Sequence, residues 1–247
     1  MTGGPRAALV TGATRGIGRT VARRLAQEGY DLTLTGRDPA ALAEAAAELG
    51  GLGRRVEVAS ADMAAEHDVR RVAQVHRAAF GRLDALVLSA GVGSSAPLGG
   101  YPLKRFDKQF TVNVRAPFTL IDECIDLLRA TAKEVPLSGT KIIAISSITA
   151  SAPEPGLAAY GASKAALIAL CEAVNTEASA DGVTATAICP GYVDTDMSAW
   201  MHDRIPPAEM ITTGDLAELV LALTRMSAHA VVPQIPVVRA GSQLWRA

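Results

Sequence analysis

The sequence is poor in aromatic residues, has almost no net charge and contains no long apolar run. Aromatic side chains make up 4% of its 247 residues, and 24 basic residues are opposed by 25 acidic ones, which gives a formal net charge of −1. A charge near zero provides no basic surface for nucleic acid or an anionic membrane. Charged residues interrupt every apolar stretch before it reaches the ~20 residues that a membrane helix requires. The composition therefore predicts neither a nucleic-acid-binding protein nor a membrane protein.

Cysteine and histidine are also scarce. The three cysteines, Cys124, Cys171 and Cys189, include no CxxC pair, and the four histidines are scattered along the chain. This spacing predicts no metal site. The first residues lack the shape of a signal peptide. Reduced thiols and no leader together predict a cytoplasmic protein.

Short apolar runs alternate regularly with longer amphipathic segments, and this alternation predicts an α/β protein. It favours a predominantly parallel, seven-stranded sheet with helices on both faces, formed by a single domain over residues 1–247. The irregular segment 196–210 is too long for an ordinary connection and is predicted to be a substrate lid. The predicted strands are 7–11, 32–35, 56–58, 85–88, 141–145, 184–189 and 231–238, and the predicted helices are 16–28, 38–49, 66–80, 103–113, 117–131, 160–179 and 213–226.

A glycine-rich turn, residues 11–18 with the sequence TGATRGIG, joins the first predicted strand to the first predicted helix. Glycines in this place let the backbone approach a pyrophosphate, and the helix N-terminus supplies free N–H groups. The second strand ends at Arg37, which, together with Arg15, would pair with a 2′-phosphate. We therefore predict NADP(H) as the cofactor, with NAD(H) less favoured.

Two carboxylates near this turn can be interpreted in two ways. Asp38 could bind the ribose hydroxyls of NAD(H), or it could cap the second helix. Asp62, which precedes Met63, could accept a hydrogen bond from the adenine amino group, or it could stabilise a turn. The residues alone leave both alternatives open.

Tyr160 and Lys164 are four residues apart at the start of a long predicted helix, so both project from one face. A nearby ammonium favours the phenolate and lowers the pKa of a tyrosine from its ordinary value of about 10. Such a tyrosine can serve as a general acid or base. Ser146 and Ser147 end the preceding strand, which places a hydroxyl near the same edge of the sheet.

These motifs, in this order, resemble the short-chain dehydrogenase/reductase family, and the resemblance runs nearly end to end. The family's glycine motif matches residues 11–18, and its Tyr-x-x-x-Lys pair matches Tyr160 and Lys164. Its catalytic serine lies 13 residues before the tyrosine, which selects Ser147, and its helix asparagine matches Asn113. The resemblance implies a doubly wound Rossmann fold.

The resemblance also implies roles. Tyr160 would protonate a substrate carbonyl, or deprotonate the alcohol in the reverse direction. Lys164 would lower the pKa of Tyr160 and hold the nicotinamide ribose. Ser147 would polarise the carbonyl, and Asn113 would hold a water in a proton relay. The alternative interpretations are purely structural: Ser147 would cap a helix, and Asn113 would mark a kink. The implied cofactor-binding residues are Gly12, Thr14, Arg15, Gly16, Ile17, Gly18, Arg37, Asp62, Met63, Ser89, Ala90, Gly91, Tyr160, Lys164, Pro190, Gly191, Val193 and Thr195.

Three departures from the family pattern affect these implications. Ser89 stands where the family usually has asparagine, so the tie between the central strands is weakened or rebuilt. The sequence is similar to 3-oxoacyl-carrier-protein reductases, but Asp181 stands where these often have a basic residue, which makes a carrier-protein partner doubtful. Residues 237–247 replace a glycine-rich end, which favours a homodimer through the long helices over a homotetramer.

The sequence therefore predicts an NADP(H)-dependent oxidoreductase that acts on a carbonyl or secondary alcohol and resembles 3-oxoacyl reductases. A non-catalytic nucleotide-binding regulator on the same fold is one alternative, and such relatives typically lack the tyrosine or the lysine. An isomerase or a dehydratase that uses the same residues is another.

The substrate is predicted to be a small molecule, mainly apolar. The segment 196–210 carries Met197, Trp200, Met201 and Ile205, which would either line the pocket or pack on the body of the protein. Segments 92–101, with Ala96, Pro97 and Leu98, and 148–157 would complete the wall. No acid or base in these segments is assigned to a charged substrate.

Overall fold

A single sheet of seven parallel strands forms the centre of the protein. The structure is a computed structural model and describes residues 4–241. The strand order is β3-β2-β1-β4-β5-β6-β7, and each neighbouring pair is parallel. The strands are β1 (Ala7–Thr11), β2 (Asp31–Gly36), β3 (Val56–Ser60), β4 (Ala85–Leu88), β5 (Thr140–Ile145), β6 (Val183–Pro190) and β7 (Gln234–Val237).

Both faces of the sheet are covered, which is why the central strands are mostly apolar. In β1, Leu9 packs into one core layer, and its neighbours Ala8 and Val10 pack into the other. β4 alternates in the same way, with Leu86 in the first layer and Val87 in the second. Small and branched side chains of this kind fill most of both layers, and Tyr30 is an aromatic side chain buried in the second.

Helices lie on both faces, so the predicted doubly wound fold is confirmed. Residues of α1, α2 and α7 contribute to one core layer, and those of α3, α5 and α6 contribute to the other. The helices are α1 (Gly16–Gln27), α2 (Pro39–Gly50), α3 (Glu66–Phe80), α4 (Leu103–Phe110), α5 (Ala116–Glu134), α6 (Ala158–Ala178) and α7 (Thr213–Arg225).

The two helices predicted at 103–113 and 117–131 form one nearly continuous rod, and this corrects the prediction. A π-helical turn, Thr111–Arg115, connects α4 directly to α5. Pro117 has no N–H, so the carbonyl of Asn113, four residues earlier, loses its ordinary helical donor. Asn113 therefore lies in an irregular turn inside the rod.

The chain leaves β1 towards β2 and later returns to β4 on the other side of β1. The carboxyl ends of β1 and β4 therefore flank a topological switch point, where doubly wound proteins form their ligand crevice. The predicted lid, 196–210, follows β6 on the same edge and contains two short 3₁₀ turns, Ala199–Met201 and Pro207–Glu209. Within residues 4–241, no helix is long and apolar enough to cross a membrane.

Candidate active site

The backbone of the glycine-rich turn requires glycine at three positions. Gly12 and Gly16 have φ angles of 67° and 54°, which favour glycine. A Cβ at Gly18 would overlap the carbonyl of Gly12. Arg15 precedes α1 without capping it by a side-chain hydrogen bond, so the first N–H groups of this helix are available to an anion.

The turn opens into a cleft of about 210 Å³ along the carboxyl ends of β1, β2 and β4. This cleft contains most of the predicted cofactor residues, which are drawn from distant parts of the chain. Its lining includes Gly12, Thr14, Arg15, Gly16, Ile17, Gly18, Arg37, Asp62, Met63, Ser89, Ala90, Gly91 and Thr195, together with Lys108 and Asp196, which were not predicted.

Arg15 and Arg37 both lie in the cleft, but they do not form an isolated positive pair. The Arg15 Nη1 atom lies 2.8 Å from Oδ2 of Asp196, the first residue of the predicted lid. Arg37 is exposed at the end of β2. The negative charge of Asp196 therefore offsets one of the two positive charges that were expected to select the cofactor.

The two ambiguous carboxylates have structural roles. Asp38 caps α2, because its Oδ1 accepts hydrogen bonds from the N–H groups of Ala40 and Ala41 at 2.9 and 3.2 Å. Asp62 lines the cleft, but its Oδ1 accepts from the N–H of Ala64 at 2.9 Å, as a turn aspartate does. Asp62 has further oxygen lone pairs for a ligand, whereas Asp38 is not among the residues that line the cleft.

Thr11 ties the central strands together at the place where Ser89 replaces the family's asparagine. The Thr11 hydroxyl accepts hydrogen bonds from the N–H groups of Ser89 and Ala90, both at 3.0 Å, and lies 3.4 Å from the carbonyl of Val87. A side chain on β1 thus holds the segment that follows β4. Sequence reasoning missed this role, because the contact spans more than 75 residues.

A second cavity, of about 390 Å³, adjoins the cleft and is lined by Ile17, Ser89, Gly91, Thr195 and Met197 in common with it. The cleft and the cavity therefore form one continuous site. Three of the four predicted catalytic residues line this cavity, as do the remaining predicted cofactor residues. These are Ser147, Tyr160, Lys164, Pro190, Gly191 and Val193.

Thr149 determines which way the hydroxyl of Ser147 can act. The N–H and the hydroxyl of Thr149 both donate to Ser147 Oγ, at 3.2 and 2.9 Å. With both lone pairs used, Ser147 has only its proton to offer to a partner in the cavity, and its effect on Tyr160 is to lower the pKa of the phenol. The neighbouring Ser146 instead donates to the carbonyl of Lys164 at 2.8 Å, so only Ser147 is set as a donor to the cavity.

Burial shifts the pKa values of Tyr160 and Lys164 in opposite directions. It raises the pKa of Tyr160 to about 12, against the effect of the hydrogen bond from Ser147, and it lowers the pKa of Lys164 to about 8. The expectation that Lys164 lowers the pKa of Tyr160 does not hold in this structure. The Lys164 ammonium donates to the carbonyl of Ile145 at 2.8 Å and lies 5.7 Å from the centre of the Tyr160 ring.

Asn113 is buried behind the cavity wall rather than in it. Its Oδ1 accepts from the N–H of Val92 at 2.9 Å, and its Nδ2 donates to the carbonyl of Val92 at 2.9 Å and to Ser163 Oγ at 3.0 Å. A Cβ at Gly91 would lie 3.3 Å from Lys164 Nζ and 3.5 Å from Asn113 Oδ1. Asn113 thus holds the segment at Gly91 and Val92, which separates it from Lys164. It therefore lies close to Lys164, as expected if it acts together with the other predicted catalytic residues.

The predicted lid divides into two parts. Met197 and Trp200 line the cavity, although both side chains are more than half exposed. Met201 and Ile205 are buried in a small cluster with Met210. Met197 and Trp200 therefore line the pocket, whereas Met201 and Ile205 pack against the protein, so each of the two alternatives holds for one pair.

The remaining cavity wall differs from the prediction in two ways. From segment 92–101, the lining residues are Gly93, Ser94 and Ser95 rather than Ala96, Pro97 and Leu98, and Leu98 is 80% exposed. Glu154, Leu157 and Tyr192 also line the cavity. Sequence analysis missed Glu154, and the one signal that could have found it is its position between Pro153 and Pro155 in a segment already assigned to the wall.

Comparison with known proteins agrees with this geometry. The family model described as short chain dehydrogenase matches residues 6–205. A 3-oxoacyl-[acyl-carrier-protein] reductase of Staphylococcus aureus is 30% identical over 245 residues, with 96% of this chain and 97% of that protein covered.

Two solved structures share the fold. A short chain dehydrogenase from Burkholderia cenocepacia in complex with NADP has a TM-score of 0.83 and 30% identity, and the match covers 95% of both chains. An alcohol dehydrogenase from the archaeon Thermococcus sibiricus, complexed with 5-hydroxy-NADP, has a TM-score of 0.85 and 26% identity, and the match covers 96% of this chain and 97% of that one.

Proposed function

Since the chain belongs to the short-chain dehydrogenase family, we propose that it is an NADP(H)-dependent oxidoreductase that interconverts a carbonyl compound and a secondary alcohol. The observation that carries this proposal is that three groups line the cavity next to the cleft. The donor hydroxyl of Ser147, the phenol of Tyr160 and the ammonium of Lys164 all line the same cavity.

In the direction of reduction, Ser147 and Tyr160 act on the carbonyl oxygen of the substrate. Ser147 donates a hydrogen bond to this oxygen, because Thr149 occupies its lone pairs. Tyr160 then transfers its phenolic proton to the same oxygen as negative charge develops there. A pKa raised to about 12 keeps Tyr160 protonated near neutral pH, which suits a general acid.

Lys164 and Asn113 support the proton transfer by helping to return a proton to Tyr160. A lysine whose pKa is lowered to about 8 can lose and regain a proton near neutral pH, so we assign Lys164 to the return of a proton to Tyr160. The carbonyl of Asn113, deprived of its helical donor by Pro117, is a suitable acceptor for a water that continues this path. The side chain of Asn113 holds the intervening Val92 in place.

The cleft fits a dinucleotide, because its glycines leave the backbone open and α1 presents free N–H groups. Gly12, Gly16, Gly18 and the α1 N-terminus would hold the pyrophosphate, and Arg37 with Arg15 would hold a 2′-phosphate. A bound nicotinamide supplies or accepts hydride. The NADP and 5-hydroxy-NADP in the two structural neighbours support this choice of cofactor.

The loss of reduced-nicotinamide absorbance with a panel of ketones tests the reaction. Tyr160→Phe should lower kcat by about 10²- to 10⁴-fold, a far larger factor than its effect on NADPH binding, because most of the proposed cofactor contacts lie in the cleft. Tyr30→Phe is the matched control, since Tyr30 is buried in the core layer of α1 and α2. Normal turnover by Tyr160→Phe would refute the mechanism. NADPH binding without consumption of any ketone would instead favour the regulator, isomerase or dehydratase alternatives.

A second experiment tests the cofactor assignment. Arg37→Asp should reverse the preference for NADPH over NADH, because a carboxylate repels the 2′-phosphate and accepts from a ribose hydroxyl. Lys133→Asp makes a similar change of charge at an exposed position on α5 and should have no effect. An Arg37→Asp variant that keeps its NADPH preference would refute the role of Arg37.

We also propose self-association as a homodimer or homotetramer and a cytoplasmic location. An apolar depression lined by Phe110, Val114, Phe118 and Leu170 supports contact through α5 and α6, and sedimentation analysis tests it. The C-terminal residues 242–247, which entered the choice between dimer and tetramer, lie outside the described residues. A carrier-protein partner is not proposed, since the predicted docking position holds Asp181, 2.9 Å from Arg129.

A further inference from the structure

One carboxylate lies in a cavity wall that is otherwise mostly apolar. Glu154 precedes α6 and lines the same cavity as Ser147 and Tyr160. No acid was assigned to the substrate from the sequence, and the proposed mechanism does not use this one. The apolar side chains around the cavity are Ile17, Ile145, Ile148, Leu157, Pro190, Val193, Met197 and Trp200.

Glu154 is hydrogen-bonded to Tyr192, which follows β6 on the opposite loop. The Tyr192 hydroxyl donates to Glu154 Oε2 at 2.8 Å. Burial and the neighbouring carboxylate raise the pKa of Tyr192, so the phenol keeps its proton and remains the donor. Because a phenol has one proton, Tyr192 can only accept any further hydrogen bond.

The second oxygen of Glu154 also lacks a donor. Among the described residues, Oε1 is buried without a hydrogen-bond partner. A buried acceptor of this kind is uncommon in native proteins and favours a ligand or water that donates to it. A positive charge on Arg204 also acts on Tyr192, but Arg204 is exposed and is not among the residues that line the cavity.

The Glu154–Tyr192 pair therefore contributes hydrogen-bond acceptors and no free donor to this part of the cavity wall. We propose that this pair is a specificity site for substrates that carry a hydrogen-bond donor, a hydroxyl or an ammonium group, besides the reacting carbonyl. The inference rests on the proposed function and names its substrate class. Substrates that offer only further acceptors at this position, such as esters or thioesters, are discriminated against, because two acceptors cannot pair and the carboxylate repels partial negative charge.

Four ketones of equal chain length test this inference with NADPH. They end in a hydroxyl, an ammonium, a methyl or a methyl ester group. We expect kcat/KM of the wild-type protein to be about 10- to 100-fold higher for the hydroxyl or ammonium ketone than for the methyl ketone, as a charge-assisted hydrogen bond implies. The ester ketone should be the poorest substrate. If only one of these two ketones is preferred, the result identifies whether the site accepts a hydroxyl or an ammonium group.

Three variants separate recognition from structure. Glu154→Gln keeps an acceptor for the Tyr192 hydroxyl but removes the charge, and it should reduce the donor preference at least tenfold. Tyr192→Phe should reduce it as well. Glu177→Gln, at an exposed position on α6, is the matched control and should retain it. If Glu154 only ties the two loops together, Glu154→Gln will lower kcat/KM equally for all four ketones, and the inference is overturned.

A failure of this inference can be told apart from a failure of the proposed function. Turnover of the methyl ketone establishes the oxidoreductase activity whatever the preference. If no ketone is turned over, calorimetric binding of the matching hydroxyl, ammonium and methyl alcohols in the presence of NADP tests the site directly. Equal binding of the methyl and donor-bearing alcohols, or an unchanged preference in Glu154→Gln, would overturn the inference.

Discussion

The ion pair between Arg15 and Asp196 links the cofactor cleft to the lid and leads to a quantitative prediction. Its Nη1 and Oδ2 atoms are 2.8 Å apart, and the two side chains are 71% and 72% exposed. Arg15 is also a proposed ligand of the 2′-phosphate of NADP(H). The carboxylate of Asp196 therefore competes with the cofactor for the same guanidinium.

The exposure of both side chains limits the size of this competition. Exposed ion pairs contribute ~0.2–1 kcal/mol, which corresponds to a factor of about 1.4 to 5 in a binding constant. Asp196→Asn should therefore lower the Kd for NADPH by about this factor. The Kd for NADH, which has no 2′-phosphate, should stay the same. The gain should shrink as the salt concentration rises, because salt screens exposed charges.

Fluorescence titration of NADPH and NADH checks this in the wild type, Asp196→Asn, Arg15→Ala and the double variant. The effect of Asp196→Asn should vanish when Arg15 is absent. Asp203→Asn makes the same change at another exposed position of the lid and serves as the control. If Asp196→Asn fails to tighten NADPH binding, or tightens NADH binding equally, the competition for a 2′-phosphate is disproved.

Two further predictions concern stability and the cleft. Burial lowers the pKa of His76 to about 4 from its ordinary value of 6.5, so the unfolded chain binds a proton on this residue at higher pH than the folded protein does. Between pH 7 and pH 5 the wild type should therefore lose about 2 kcal/mol of unfolding free energy through His76. Urea unfolding at the two pH values should show that this loss is absent in His76→Gln and present in His67→Gln. An equal pH dependence of stability in the two variants would contradict the prediction. Thr11→Val leaves the N–H groups of Ser89 and Ala90 without their acceptor, which should cost about 1–3 kcal/mol of unfolding free energy and weaken NADPH binding. Thr11→Ser keeps the hydroxyl and should retain the stability and the NADPH binding of the wild type. A Thr11→Val variant with unchanged stability and binding would rule out the role of Thr11 in holding the segment after β4.

Much of the fold and of the site follows from local patterns in the sequence. The alternation of apolar runs and amphipathic segments predicts a parallel sheet covered on both sides, because each strand and helix is encoded by its own periodicity. Gly12, Gly16 and Gly18 identify the nucleotide turn, since the backbone conformation there is a local property. The four-residue spacing of Tyr160 and Lys164 identifies one helix face for the same reason.

Other features depend on contacts between distant residues. Sequence spacing cannot show that Arg15 meets Asp196 or that Glu154 meets Tyr192, because these pairs are 181 and 38 residues apart. Sequence spacing also does not show that Thr149 turns Ser147 into a donor, because this short-range contact depends on the conformation of the 3₁₀ turn after β5. The pKa of Tyr160 was expected to fall and instead rises, because its burial outweighs the lowering effect of Ser147.

The sequence by itself determined the family of this protein, because the glycine turn and the Tyr160–Lys164 spacing are encoded within a few neighbouring residues. The tertiary structure alone decided which charges meet and which groups are buried. Burial and long-range pairing depend on how the sheet brings loop ends together, and no local pattern records them. These contacts are also the ones that lead to the substrate class proposed for the Glu154–Tyr192 pair and to the competition between Asp196 and the cofactor.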